Sequence, residues 1–373
     1  PNAHYVDPEV HRIEIERLIF DQWAGVAVGA DVPEPGDAMP VTFCGVPLLV
    51  VRDREGRVRV FQNTCRHRGM ILVSEKRNLR GTIVCPYHAW CYNLDGSLRA
   101  TPHAGGPGRN TDPSLDRATL GLVEFPSALW RDVVFVNISG TAPPFETFIA
   151  PLAARWHEHE GKPLFHGGPD SRFGFELKAN WKLAIENYCE SYHLPWVHPG
   201  LNSYSRLEDH YHIEAPGHFS GQGTRVYRQF EGEGGERFPD VPGLGPFWNL
   251  GAEYVALFPN VLFAAQRDHG YAILVLPEAV DRTRERVEIY YAFDPAERPD
   301  LAEMIRRNTR QWYQVLWEDV FVVEGMQAGR HGPRFDGGKF APVMDSPTWV
   351  FHAWVAGQLL AGPGGAHAAT AAE

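Results

Sequence analysis

Two short loops constrain this 373-residue chain more than any other feature. Cys65-Arg66-His67 and Cys85-Pro86-Tyr87-His88 each offer one thiolate and one imidazole, with seventeen residues between His67 and Cys85. Each pair lies where a strand-rich stretch meets a tight turn. From about Val41 to Asn137, short apolar runs (VTFCGVPLLVV, RVRVFQ, GTIVCPY, VVFVNIS) alternate with Gly, Pro, Asn and Asp. That pattern predicts a small antiparallel β domain, with Asn93-Leu-Asp-Gly as a turn inside it.

A structural zinc site draws on the same four ligand types. Zinc fingers, however, pair Cys with Cys and His with His, whereas each loop here supplies one of each across a gap as short as one residue. A [2Fe–2S] cluster of the Rieske type fits better: Cys65 and Cys85 would hold one iron, and His67 and His88 the other. The stretches CRHRGM and CPYHAW resemble the Rieske domain of the ring-hydroxylating and related Rieske non-haem iron oxygenases. Respiratory Rieske proteins carry an extra Cys in each loop; here other residues, such as Tyr87, take those places. A Rieske domain alone leaves an electron carrier and an oxygenase both open.

The segment NWKLAIENYCESYHLPWVHPG decides between them. It contains His193 and His198, and Pro195 and Pro199 stop the helix that begins near Asn180, so the second His comes from a turn just beyond it. Two imidazoles and one carboxylate with open positions opposite is how non-haem Fe(II) oxygenases bind O2 beside substrate. The segment resembles the catalytic helix of the same oxygenase family. A second predicted helix, from about Pro299 to Gly329, offers the carboxylate. Asp319 has Val315, Leu316, Val322 and Val323 at helical spacing and so faces the core, while Glu318 shares its stripe with Gln311 and Gln314. A buried carboxylate without a partner is costly, and metal ligation relieves that cost. The position also matches the family's ligand Asp. Asp319 is therefore expected as the third ligand.

Glu190 lies three residues before His193, one turn away on the expected helix face. The resemblance implies that this residue, usually Asp, is not a ligand but hydrogen-bonds the iron-ligating His193 of its own chain and His88 of the neighbouring chain in a ring-shaped homotrimer. Glu here resembles the subset acting on carnitine, glycine betaine and other quaternary amines. Tyr192, Trp196, Tyr204, Trp248, Tyr254 and Phe263 could supply a cation–π cage, although aromatic stripes are more often core. Asn187 is expected to orient the iron site. His210 and His212 read as surface histidines, and Cys44, Cys91 and Cys189 as small buried hydrophobes.

The resulting expectation is an α+β protein. Residues 1–36 form an N-terminal helical segment packing on the catalytic domain, 37–140 the Rieske domain, 141–360 a mononuclear-iron domain with a helix-flanked antiparallel sheet, and 361–373 a flexible tail. One surface helix is expected between Asp7 and Trp23, and a loop from Gly217 to Gly245. The chain would be a terminal oxygenase with one [2Fe–2S] cluster and one Fe(II) per subunit. It would use O2 to hydroxylate or oxidatively demethylate a small organic substrate, with quaternary or N-methylated amines ahead of aromatic acids. It carries no dinucleotide fingerprint, so NAD(P)H would act only through a separate flavin/iron–sulfur reductase, with or without a ferredoxin. A net charge of −11 argues against nucleic acid, and no apolar run nears the ~20 residues of a membrane span. Sparse, odd-numbered cysteines and the absence of a signal-peptide pattern point to the cytoplasm.

Overall fold

The computed structural model describes residues 1–232 and 234–361. The expected tail falls almost wholly outside them. The chain forms two compact units, Trp23–Ala142 and a second that joins Pro1–Gln22 to the chain from Pro143 onward.

The N-terminal segment is broken where a single helix was expected. α1 (Ala3–Val6) stops at Asp7, and α2 (Pro8–Glu14) starts afresh there, because Asp7 accepts the N–H groups of Glu9 and Val10 and Pro8 occupies the first helical position. A π-helical turn, Ile15–Phe20, follows and buries Ile15, Leu18 and Ile19.

The smaller unit begins at Trp23, so residues 23–36, expected with the N-terminal segment, belong to it. The cause is β1 (Ala24–Val28), which is hydrogen-bonded along β11 (Val133–Val136) with Ala24 opposite Val136. β10 (Ser127–Trp130) completes this sheet. A second antiparallel sheet has the order β5-β2-β3-β4-β9, from β2 (Asp37–Phe43), β3 (Val46–Arg52), β4 (Val58–Gln62), β5 (Arg77–Asn78) and β9 (Glu124–Phe125). The third contains β6 (Thr82–Val84), β7 (Cys91–Asn93) and β8 (Leu98–Ala100); the expected Asn93–Gly96 turn joins the last two, with Gly96 at φ 84°. Leu49, Phe61, Ile83, Trp90 and Tyr92 share one apolar core with Cys65 and Cys85.

In the larger unit, α3 (Phe145–Arg155) precedes an eight-stranded antiparallel sheet of order β12-β19-β18-β17-β16-β15-β14, with β13 also on β19. Its strands are β12 (Phe165–His166), β13 (Arg172–Leu177), β14 (His210–Ala215), β15 (Phe219–Thr224), β16 (Ala252–Leu257), β17 (Val261–Ala265), β18 (His269–Ala279) and β19 (Arg282–Tyr291). β15 lies in the Gly-rich stretch read as a loop. There the glycines make room: a Cβ on Gly221 would sit 2.1 Å from the Tyr254 carbonyl, and one on Gly223 2.2 Å from the Tyr211 ring. Helices α4 (Trp181–Cys189) and α7 (Ala302–Arg330) pack on each other, with α5 (Leu194–Val197), α6 (Pro199–Asn202) and α8 (Ser346–Leu360) beside them. α8 had no counterpart in the sequence reading. No described helix is long and apolar enough to cross a membrane.

Candidate metal centres

The two Cys–His loops of the smaller unit are built alike. The Cys65 N–H donates to the Met70 carbonyl at 2.8 Å, and the Cys65 carbonyl accepts from Gly69 at 3.0 Å. Cys85 repeats the pattern with Trp90 and Ala89 at the same distances. Each loop turns on a left-handed residue, Gly69 at φ 75° and Ala89 at φ 56°. The thiols point inward, 2% exposed, while His67 and His88 stand at the surface with ring centroids 4.8 Å apart. Trp90 stacks on His67, and the Tyr92 hydroxyl lies 3.3 Å from Cys65 Sγ while accepting the Arg66 N–H. Burial pushes the Cys85 thiol up, and neighbouring Cys65 adds to it. Burial, His88 and Arg68 hold His67 below its ordinary value, in the neutral form a metal needs. Paired thiols inside and paired imidazoles outside fit an unsymmetrical two-iron cluster.

The larger unit gathers His193, His198 and Asp319, with one ligand atom of each within 4.8 Å of the others. α4 is capped by Asn180, which accepts the Lys182 N–H, and its buried Trp181, Leu183 and Ile185 fix it in the core. It ends at Cys189, so Glu190 is extended (φ −121°, ψ 162°) rather than one turn back on a helix, and α5 starts after His193. Released from the helix, the Glu190 carboxylate folds forward to accept from the Tyr192 and His193 N–H groups and sits 2.7 Å from His193 Nδ1. His198 Nδ1 is 2.8 Å from Glu318 Oε2. The Nε2 atoms of His193 and His198 lie 3.6 and 3.0 Å from Asp319 Oδ1, which also accepts from Asn187 Nδ2 at 3.2 Å.

This arrangement tests the fit of a cation. If Glu190 and Glu318 keep the imidazole protons on Nδ1, both Nε2 lone pairs face a carboxylate oxygen, which is repulsive unless a positive ion lies between them. The donor set fits Fe(II). Burial pulls the His198 imidazole down, but the Asp319 and Glu318 carboxylates outweigh it and hold it above its ordinary value. Glu318 does sit on the polar stripe with Gln314, as expected, yet its second oxygen serves His198, a role sequence reasoning missed.

A cavity of about 510 Å3, its open mouth included, adjoins this triad. Three rings line it in a triangle, Tyr271–Trp312 at 4.8 Å, Tyr254–Trp312 at 6.3 Å and Tyr254–Tyr271 at 6.5 Å. Of the aromatics singled out earlier only Tyr254 lines it; Tyr192 and Trp196 are exposed, and Trp248 and Phe263 belong to the core. Tyr271 and Trp312 were missed. His210, read as a surface residue, is half-buried on the cavity wall between Gln222 and Ser205, whereas His212, two residues further along the same strand face, does not line the cavity and lies 4.0 Å from Glu214. Cys189 is buried, while Cys44 and Cys91 are only half-buried.

The family model for the ring hydroxylating alpha subunit catalytic domain matches residues 154–361, and that for the Rieske [2Fe-2S] domain matches residues 22–118. The chain therefore belongs to the Rieske oxygenase alpha-subunit family. It is 28% identical to the chloroplastic choline monooxygenase of Arabidopsis thaliana, over 94% of this chain and 81% of that protein. It is 26% identical to the carnitine monooxygenase oxygenase subunit of Acinetobacter pittii, over 88% and 84%. In fold it matches the structure of a quaternary ammonium Rieske monooxygenase that bears on carnitine oxidation by gut microbiota and on inter-subunit electron transfer (TM-score 0.78, 23% identity, 96% and 94% covered). The protein is an oxidoreductase, the terminal oxygenase component, with a Rieske cluster and a mononuclear iron; its electrons come from a separate reductase.

Proposed function

We propose that the enzyme hydroxylates an N-methyl carbon, or a carbon beside the nitrogen, of a small quaternary or N-methylated amine. The observation that carries this reading is the Tyr254–Tyr271–Trp312 triangle on the cavity that also presents the iron triad. Aromatic rings clustered on the wall beside the iron triad offer π surface to an ammonium that cannot donate hydrogen bonds. The choline and carnitine relatives support it. In this reading Cys65, Cys85, His67 and His88 hold the cluster, and His193, His198 and Asp319 hold the iron.

Bound iron supplies O2 activation with two electrons and two protons, one oxygen atom going to the substrate carbon and the other to water. The chain's own residues prepare that chemistry. Asn187 and Asp319 hold one another, Glu190 and Glu318 set the two imidazole tautomers, and the aromatic triangle orients the cation. On an N-methyl group the product is a hemiaminal, which releases formaldehyde and the demethylated amine. We further propose a homotrimer in which Glu190 also meets His88 of the partner subunit and so would bridge, by hydrogen bonds, a residue that would hold the cluster to one that would hold the iron. The exposed His88 ring and the Glu190–His193 contact support this arrangement. Cys44, Cys91 and Cys189, free thiols outside the cluster set, support the cytoplasm as its compartment.

The test is a substrate-depletion screen with reductase, NAD(P)H and O2, reading coupled product formation. Coupled turnover of betaines, carnitine or choline is expected; coupled turnover of a benzoate-like acid with none of these amines overturns the reading.

A further inference from the structure

We propose that Arg228 anchors a carboxylate on the substrate, so that the enzyme selects zwitterionic betaines over choline-like alcohols. This inference rests on the quaternary-amine reading of the site and narrows it to one substrate class.

A second cavity, about 350 Å3 with its mouth, lies beside the aromatic one, and Leu201, Ser205, Tyr254 and Trp312 line both. Among the lining residues of the two cavities, Arg228 is the one Lys or Arg, and Asp319 the one Asp or Glu. The order of chemistry along them is thus a carboxylate-bearing metal centre, three aromatic rings, then a guanidinium. A molecule with a quaternary ammonium head and an anionic tail matches that order; one with a neutral hydroxyl tail leaves the guanidinium unused.

Arg228 also lacks an acidic partner among the described residues, and its guanidinium lies over the Tyr204 ring, 5.7 Å from the centroid. Other arginines around this part of the sheet are matched, Arg155 with Glu253, Arg237 with Glu231 and Arg267 with Asp240. Arg225, over the Tyr211 ring, has no acidic partner among the described residues either, but it lines neither cavity, so Arg228 is the guanidinium placed to meet a ligand there. The bland alternative is an arginine solvated by water with its stem packed on Tyr204. The two readings differ in what the guanidinium does for an anionic ligand. A planar fork held over a ring is preorganised for two parallel N–H···O bonds to a carboxylate, which a lysine ammonium does not reproduce.

The experiment compares a betaine with its own methyl ester, which keeps the head and removes the negative charge, using holoenzyme with reductase and O2. Wild type should favour the free acid in kcat/KM. Arg228→Gln should lower kcat/KM for the acid ten- to hundredfold, chiefly through KM, and leave the ester within about threefold. Arg228→Lys should recover part of the loss. Unchanged cluster absorbance and iron content show that the variants are intact. Equal effects of Arg228→Gln on acid and ester, or none on either, overturn the anchor while the quaternary-amine reading stands. A wild-type enzyme that couples O2 to no quaternary amine overturns both.

Discussion

Replacing Glu318 by glutamine tests how the iron site is held. His198 is 3% exposed in its side chain, so water does not readily replace a lost partner, and its Nδ1 rests 2.8 Å from Glu318 Oε2. That contact is charge-assisted, a class worth about 1.5–3 kcal/mol against about 0.5–1.5 for a neutral bond. Glutamine has nearly the same shape and can still accept through its amide oxygen, so about 1–1.5 kcal/mol is lost. At 1.4 kcal/mol per decade this is about tenfold in metal affinity. Glu318→Ala removes the acceptor altogether and should approach the ~100-fold end of such effects. The assay is anaerobic Fe(II) titration against a competing chelator, with cluster absorbance as the internal control. Turnover of Glu318→Gln should recover when iron saturates. Unchanged Fe(II) affinity in both variants would refute the tautomer argument and return Glu318 to a helix-surface role. If Asp319→Ala kept its iron while Glu318→Gln lost it, the two carboxylates would have to exchange roles.

His193→Ala, His198→Ala and Asp319→Ala should each lose the mononuclear iron yet keep the cluster colour, and Cys65→Ser should do the reverse, as read by metal analysis beside visible spectra. Lys182→Met should destabilise the fold by about 3–5 kcal/mol in denaturant titration, because the fully buried Glu14 loses its ammonium partner; adding Glu14→Leu should restore much of it. Burial, with Asp319 adding, pushes the Glu285 carboxyl from 4.5 up to about 8. Between those values the unfolded chain releases a proton that the folded one keeps, so stability falls as pH rises, by up to about 1.4 kcal/mol per pH step. In iron-free protein the gain in melting temperature from Glu285→Gln should therefore be larger at pH 8 than at pH 5.

The cluster loops were legible because their information is local. Residue types and spacing lie within six-residue stretches, and the backbone bonds that fold each loop run between its own ends. The same holds for the capped start of α4 and for the valine and leucine stripe around Asp319. What escaped was non-local or depended on backbone detail. The Glu318–His198 contact spans 120 residues, and neither Tyr271 on its strand nor Trp312 on α7 belongs to a motif. β15 read as a loop because its glycines look like turn signals; only the rings and carbonyls of neighbouring strands show that they are spacers. His210 and His212 share one face of β14, so alternation could not separate them; His210, at the first position of the strand, is the one that lines the cavity. The N-terminal break turned on one capping Asp followed by Pro, a signal that was readable at Asp7 and Pro8.

The two metal centres thus depend on different parts of the fold. The cluster loops take their shape from their own backbone, with each Cys amide and carbonyl already bonded within the loop. The iron triad has no such frame: His193 and His198 flank one short helix, Asp319 comes from α7, and Asn187 on α4 ties to Asp319. What aligns the two imidazoles is a matched pair of carboxylates, Glu190 from the extended backbone after α4 and Glu318 from α7. Each meets its histidine at Nδ1, leaving Nε2 toward the same Asp319 oxygen, so α4 and α7 must keep their packing for all five groups to agree. Because neighbouring residues 318 and 319 on one helix meet the two nitrogens of the same histidine, a shift of α7 moves both contacts of His198 together. The spacing between those two carboxylates is preserved by the helix itself, and the site's exposure to error is concentrated in the α4–α7 contact.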